Sequence, residues 1–68
     1  MKNWTARNVI EARNNLVQIK SGTLYTVRLY ADGWAVWEQG GGIDKVESLE
    51  AWDFARWLND RQAVIFVA

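Results

Sequence analysis

Of the side chains that carry covalent or metal chemistry, this sequence holds hydroxyls and carboxylates but neither histidine nor cysteine. Ser-His and Cys-His nucleophiles are therefore excluded, and the usual zinc ligand sets shrink to carboxylates. Ser21, Ser48 and the threonines remain as hydroxyls, and Ser48 stands where a helix cap belongs. Asp44 with Glu47 or Glu50 would give paired carboxylates, but a glycosidase also needs a walled cleft, for which so short a chain has few side chains left. The same acids lack the Asp-x-Asp-x-Asp-Gly spacing of a calcium loop. Gly40-Gly41-Gly42 is not followed by a helix start with lysine and hydroxyl in register, so it reads as a turn and not as a phosphate cradle. No catalytic residue, metal ligand set or cofactor is expected.

Binding chemistry is better represented. Five tryptophans, Trp4, Trp34, Trp37, Trp52 and Trp57, stand in 68 residues, and large aromatics of this kind either fill a small core or anchor an interface. The net charge is zero but unevenly laid out: Lys2, Arg7, Arg13 and Lys20 against Glu11 make the first twenty residues basic, while Asp32, Glu38, Asp44, Glu47, Glu50, Asp53 and Asp60 outnumber Lys45 and Arg56 later on. Arg7, Arg13 and Lys20, with Asn8, Asn14 and Asn15, form the candidate nucleic-acid surface.

These residues must be positioned by a few short elements. Thr5 is a candidate N-cap, and Ala6, Val9, Ile10 and Ala12 share one side of a helix over residues 5–14 that Asn14-Asn15 would stop, the rival reading being a helix unbroken to Ile19. Leu16 to Lys20 suits a strand. After the Ser21-Gly22 turn, Thr23 to Tyr30 is rich in β-formers, and Asp32-Gly33 marks a hairpin. A two-residue loop at Asp32-Gly33 would pair Val27 with Glu38 and Arg28 with Trp37, mixing polar and apolar on both faces. A three-residue loop, Ala31-Asp32-Gly33, pairs Val27 with Trp37, Leu29 with Ala35 and Thr26 with Glu38. That register puts Tyr25, Val27, Leu29, Ala35 and Trp37 in the core. Thr26, Arg28, Tyr30, Trp34, Val36 and Glu38 then face the other way.

A short strand is expected at Ile43 to Val46, then a helix capped by Ser48 over Leu49 to Asp60. Its apolar stripe is Ala51, Phe54, Ala55 and Leu58, flanked by Trp52 and Trp57, with Trp37, Trp52 and Leu58 expected in the core. Ala63 to Ala68 is apolar on both faces, and such a strand is expected inside a sheet or completing one across a dimer. The expected architecture is one α+β domain over residues 1–68. It has a short N-terminal helix, an antiparallel sheet of three to five strands, one long helix packed on one face and a C-terminal strand. No segment is long and apolar enough for a bilayer and no secretory leader is visible, which fits a cytoplasmic, reducing setting.

Residues 24–58, with Tyr25-x-Val27, Asp32-Gly33-Trp34-Ala35-Val36, the glycine turn and Ser48-Leu49-Glu50-Ala51-x-x-Phe54-Ala55, resemble small prokaryotic and phage hairpin-plus-helix domains, HicB-type antitoxins among them. The resemblance implies a compact protein-binding module of the kind mobile elements encode, including small inhibitors of host defence such as anti-CRISPR proteins. Taken together, the expectation is a non-enzymatic protein-interaction module with Trp34, Tyr30, Arg28 and Glu38 as partner-binding residues, the equal alternative being that a second core layer such as the N-terminal helix covers that face. Self-association is expected from small size and the apolar C-terminal run. The alternative is RNA binding through Arg7, Arg13 and Lys20. A helix, three strands and a helix is also the order of double-stranded-RNA-binding domains, but Glu47, Ser48 and Glu50 stand where that family carries its lysine cluster.

Overall fold

The computed structural model describes residues 3–66 in backbone and residues 3–64 in side chain. The chain runs α1 (Ala6–Ala12), β1 (Leu16–Gln18), β2 (Leu24–Tyr30), β3 (Gly33–Glu38), β4 (Ile43–Val46), α2 (Ala51–Asp60) and β5 (Val64–Phe66), an α+β fold. The strands form one antiparallel sheet in the order β4-β3-β2-β1-β5. The first four strands make a meander. The chain then crosses through α2 and returns to the far edge.

Thr5 starts α1 through a reciprocal cap: Asn8 N–H donates to Thr5 Oγ1 at 3.3 Å, and Thr5 N–H donates to Asn8 Oδ1 at 3.1 Å. Asn14, in the left-handed region at φ 68°, ends it, a conformation asparagine tolerates better than most residues. The helix buries Val9 and Ala12. The second helix begins two residues later than the sequence suggests. Ser48 Oγ accepts from Glu50 N–H at 3.0 Å, closing the turn into α2, and Glu50 occupies the cap position with no side-chain bond. On α2 the buried residues are Phe54, Ala55 and Leu58, as the apolar stripe requires.

Both helices lie on one face of the sheet and share a core with Val17, Tyr25, Val27, Trp34 and Val36. Each fully buried Val, Leu or Phe there contributes roughly 1.5–3 kcal/mol. Trp34 meets Phe54 edge-on at 5.4 Å between ring centroids, and Trp57 meets Tyr25 the same way at 5.9 Å. Trp4 fastens the start of the chain to the far end of α2. Its Nε1 donates to Ala63 O at 2.7 Å, its N–H donates to Asn59 Oδ1 at 2.6 Å, and Asn59 Nδ2 donates back to Trp4 O at 3.0 Å.

Three expectations are corrected. The hairpin turns on Ala31-Asp32, with Tyr30 opposite Gly33, Leu29 opposite Trp34 and Val27 opposite Val36. A one-residue shift of register reverses the faces of β3, so Trp34 and Val36 pack beneath the helices and Trp37 is half exposed, while Ala35, also expected in the core, is buried on the other face. Trp52, expected in the core, is half exposed, at the flank of the α2 stripe with Arg56 5.0 Å from its ring. The C-terminal strand pairs with β1 alone among the described residues and so lies at the sheet edge, which overturns the interior placement and leaves the other expectation, completion of a sheet across a dimer; Val67 and Ala68 of the expected strand lie outside the described residues. No helix among the described residues is long and apolar enough to cross a membrane.

Candidate functional site

With both helices on one side, strand alternation fixes what the other side carries. Leu16 and Gln18 of β1, Leu24, Thr26, Arg28 and Tyr30 of β2, Ala35 and Trp37 of β3, and Ile43 and Lys45 of β4 all point away from the helices. Trp37 is 50% exposed, Ile43 45% and Tyr30 43%. Thr26, Arg28, Tyr30 and Trp37 line one open depression at the centre of this face. Trp37 lies directly opposite Thr26 on one side and Ile43 on the other, so the three strands present a continuous aromatic and aliphatic surface.

The polar groups of the face are held in place. Arg28 Nη1 donates to Asn14 Oδ1 at 2.9 Å, tying the strand to the end of α1. Lys45 Nζ bonds Asp32 Oδ2 at 3.1 Å across the rim, and that bond holds the Asp32 carboxyl below its ordinary value. On the opposite, helix-facing side, burial pushes the Tyr25 hydroxyl above its ordinary value, and the carboxylates of Asp44 and Glu38 add to the effect while Arg61 opposes it.

Of the four residues singled out as partner-binding, Tyr30 and Arg28 share the open face. Trp34 is only 2% exposed and sits in the core, its Nε1 donating to Leu49 O at 3.3 Å, so its placement as a surface anchor is corrected. Glu38 stands opposite Tyr25, which puts it on the helix-facing side, away from Arg28. Trp37 takes the place that the shifted register assigned to Trp34. No local signal in the sequence marks it, because Ala35 and Trp37 are as apolar as Trp34 and Val36; the Tyr30–Gly33 pairing that fixes the face is seen only in the structure.

Arg7, Arg13 and Lys20 sit at three separate points: the first turn of α1, its C-cap, and the turn after β1. All three are exposed, and Arg7 pairs with Glu11 at 3.4 Å. Lys20 lies beside Asp60 and Arg61 in a cleft at the end of α2. Among the described residues no group of three or more acidic side chains is placed to hold a metal ion. Comparison with known proteins finds no matching family model, curated protein or solved structure.

Proposed function

We propose that this protein is a non-enzymatic protein-interaction module and that the open face of its sheet, centred on Trp37, Tyr30 and Arg28, is the docking surface. The observation that carries the reading is a tryptophan half exposed on a sheet face that neither helix covers. An exposed indole beside a tyrosine and an arginine supplies apolar area, little conformational entropy to lose and a directional charge, the combination that binding hot spots favour. The inhibitor or regulator role implied by the hairpin-plus-helix resemblance is a special case, in which the bound protein is an active machine.

Capture from host lysate with nuclease present, run in parallel with Trp37→Ala and Trp52→Ala, tests this. A protein partner lost with Trp37→Ala and kept with Trp52→Ala supports docking on the sheet, provided both variants are fully folded at the temperature of capture. A partner equally bound by Trp37→Ala places the surface elsewhere. Capture abolished by nuclease would favour the RNA-binding alternative.

A further inference from the structure

The strand positions of the open face carry charge of one sign, and the carboxylate at its rim, Asp32, is paired with Lys45. Those strand positions hold Arg28 and Lys45 and, among the described residues, no carboxylate. The acids of the neighbouring strands, Glu38 and Asp44, stand opposite Tyr25 and Val36 and so belong to the helix-facing side. Glu47, Glu50, Asp53 and Asp60 lie in α2 or the segment leading to it. The molecule as a whole is neutral, so this face is basic at the expense of the rest.

The two cations are not equivalent. Lys45 is paired with Asp32, whereas Arg28 makes no ion pair among the described residues and is held only by the neutral amide of Asn14. A guanidinium fixed on one side by an amide keeps its full charge and further N–H donors for an outside acceptor. Its planar fork matches a carboxylate with two parallel bonds. Tyr30 and Trp37 line the same depression, so an acceptor that reached Arg28 would be flanked by rings.

Two other occupants fit less well. A second copy bound face to face would bring a second Arg28 and no free carboxylate to meet it, since the Asp32 carboxylate at the rim is already paired with Lys45. A nucleic-acid strand would find one unpaired arginine, where tracking a phosphate backbone takes several cations. An apolar surface with one directed cation suits neither a repeated charge nor an uncharged ligand.

We propose that the open face takes a protein segment in which a carboxylate side chain is neighboured by a bulky apolar one, the carboxylate on Arg28 and the apolar group on Trp37 and Tyr30. The proposal rests on the docking reading and adds the chemistry of the partner. The test is an amide and indole chemical-shift titration of the labelled protein with three probes. One is a short peptide of aspartates and glutamates around a central Leu-Phe, the second is the same peptide with lysine for every acid, and the third is single-stranded oligouridylate.

The acidic peptide is expected to shift Arg28, Tyr30 and the Trp37 indole saturably, to weaken as salt is raised, and to bind about fivefold less well to Arg28→Gln. The lysine peptide is expected to leave these signals in place. Equal binding of the two peptides at the face would overturn the charge assignment and leave docking standing. Tighter binding of oligouridylate there would overturn both readings. Shifts from none of the probes would overturn the carboxylate assignment, with docking then judged by the Trp37-dependent capture.

Discussion

Trp34 and Trp37, three residues apart on β3, lie on opposite faces of the sheet: one packs edge-on against Phe54 at 5.4 Å, the other is half exposed opposite Thr26 and Ile43. The same residue type thus serves the core and the surface of one strand. The two substitutions should separate cleanly. Trp34→Ala removes a fully enclosed ring and should cost roughly 3–5 kcal/mol, enough to unfold so small a domain near room temperature. Trp37→Ala should cost about 1 kcal/mol or less, a melting shift of a few degrees. Thermal unfolding followed by circular dichroism reads both, and equal losses would contradict the burial difference.

Gly33 should be the least replaceable glycine of the hairpin and its neighbouring turn. A Cβ there would run into Val46 O and come 3.0 Å from Ser48 N, both backbone atoms, and its φ of 146° disfavours any side chain. Gly41 shares a positive φ of 131° but faces open space. Gly33→Ala should therefore destabilise by more than about 2 kcal/mol, while Gly41→Ala should carry only the strain of its backbone, about 1 kcal/mol. Chemical denaturation of the two variants makes the comparison. A Gly33→Ala protein as stable as Gly41→Ala would mean that the path out of β4 gives way freely.

Much of this architecture was legible in the sequence and one register was not. Thr5, Asn14, the β4 limits and the Phe54, Ala55, Leu58 stripe follow from caps, turns and helical spacing, which are local. The faces of β3 are different, because Trp34 and Val36 on one side and Ala35 and Trp37 on the other are all apolar, so alternation gives no sign of which side is inward. The glycine looked like a turn residue. It is instead the first residue of the strand, needed because the chain leaving β4 passes against its backbone, a tertiary contact that no local pattern announces. Trp52 is a similar case: a helix flank is buried only if something packs there.

Stability should fall on the alkaline side. The Tyr25 hydroxyl is raised above its ordinary 10.0, chiefly by burial and then by the Asp44 and Glu38 carboxylates, so the folded protein holds this proton more tightly than the unfolded chain. The resulting stabilisation is fully present below pH 10 and is lost as pH rises through the higher folded value. Unfolding curves of the parent and Tyr25→Phe between pH 8 and 12 should show a steeper alkaline decline in the parent. Parallel curves would assign the decline to other groups.

Asn59→Ala should reveal how firmly the start of the chain is tied down. The substitution removes both side-chain bonds to the Trp4 backbone, at 2.6 and 3.0 Å, and should cost about 1–3 kcal/mol. Hydrogen exchange should quicken at Trp4 and along β5 more than in β2 and β3. Uniform acceleration would show that the tie is not local.

That tie also orders events in time. The β1–β4 meander is joined by short turns and closes small loops, whereas Trp4 meets Asn59 and Ala63 across nearly the whole sequence. Loop-closure entropy makes such a pairing slow to form. During synthesis the hairpins can assemble as they emerge, but the indole of Trp4 must wait until Ala63 has been added before its partner carbonyl exists. Until then the helix-facing side of the meander lacks part of its cover, and the finished fold is sealed by a residue made before any strand of the sheet it closes.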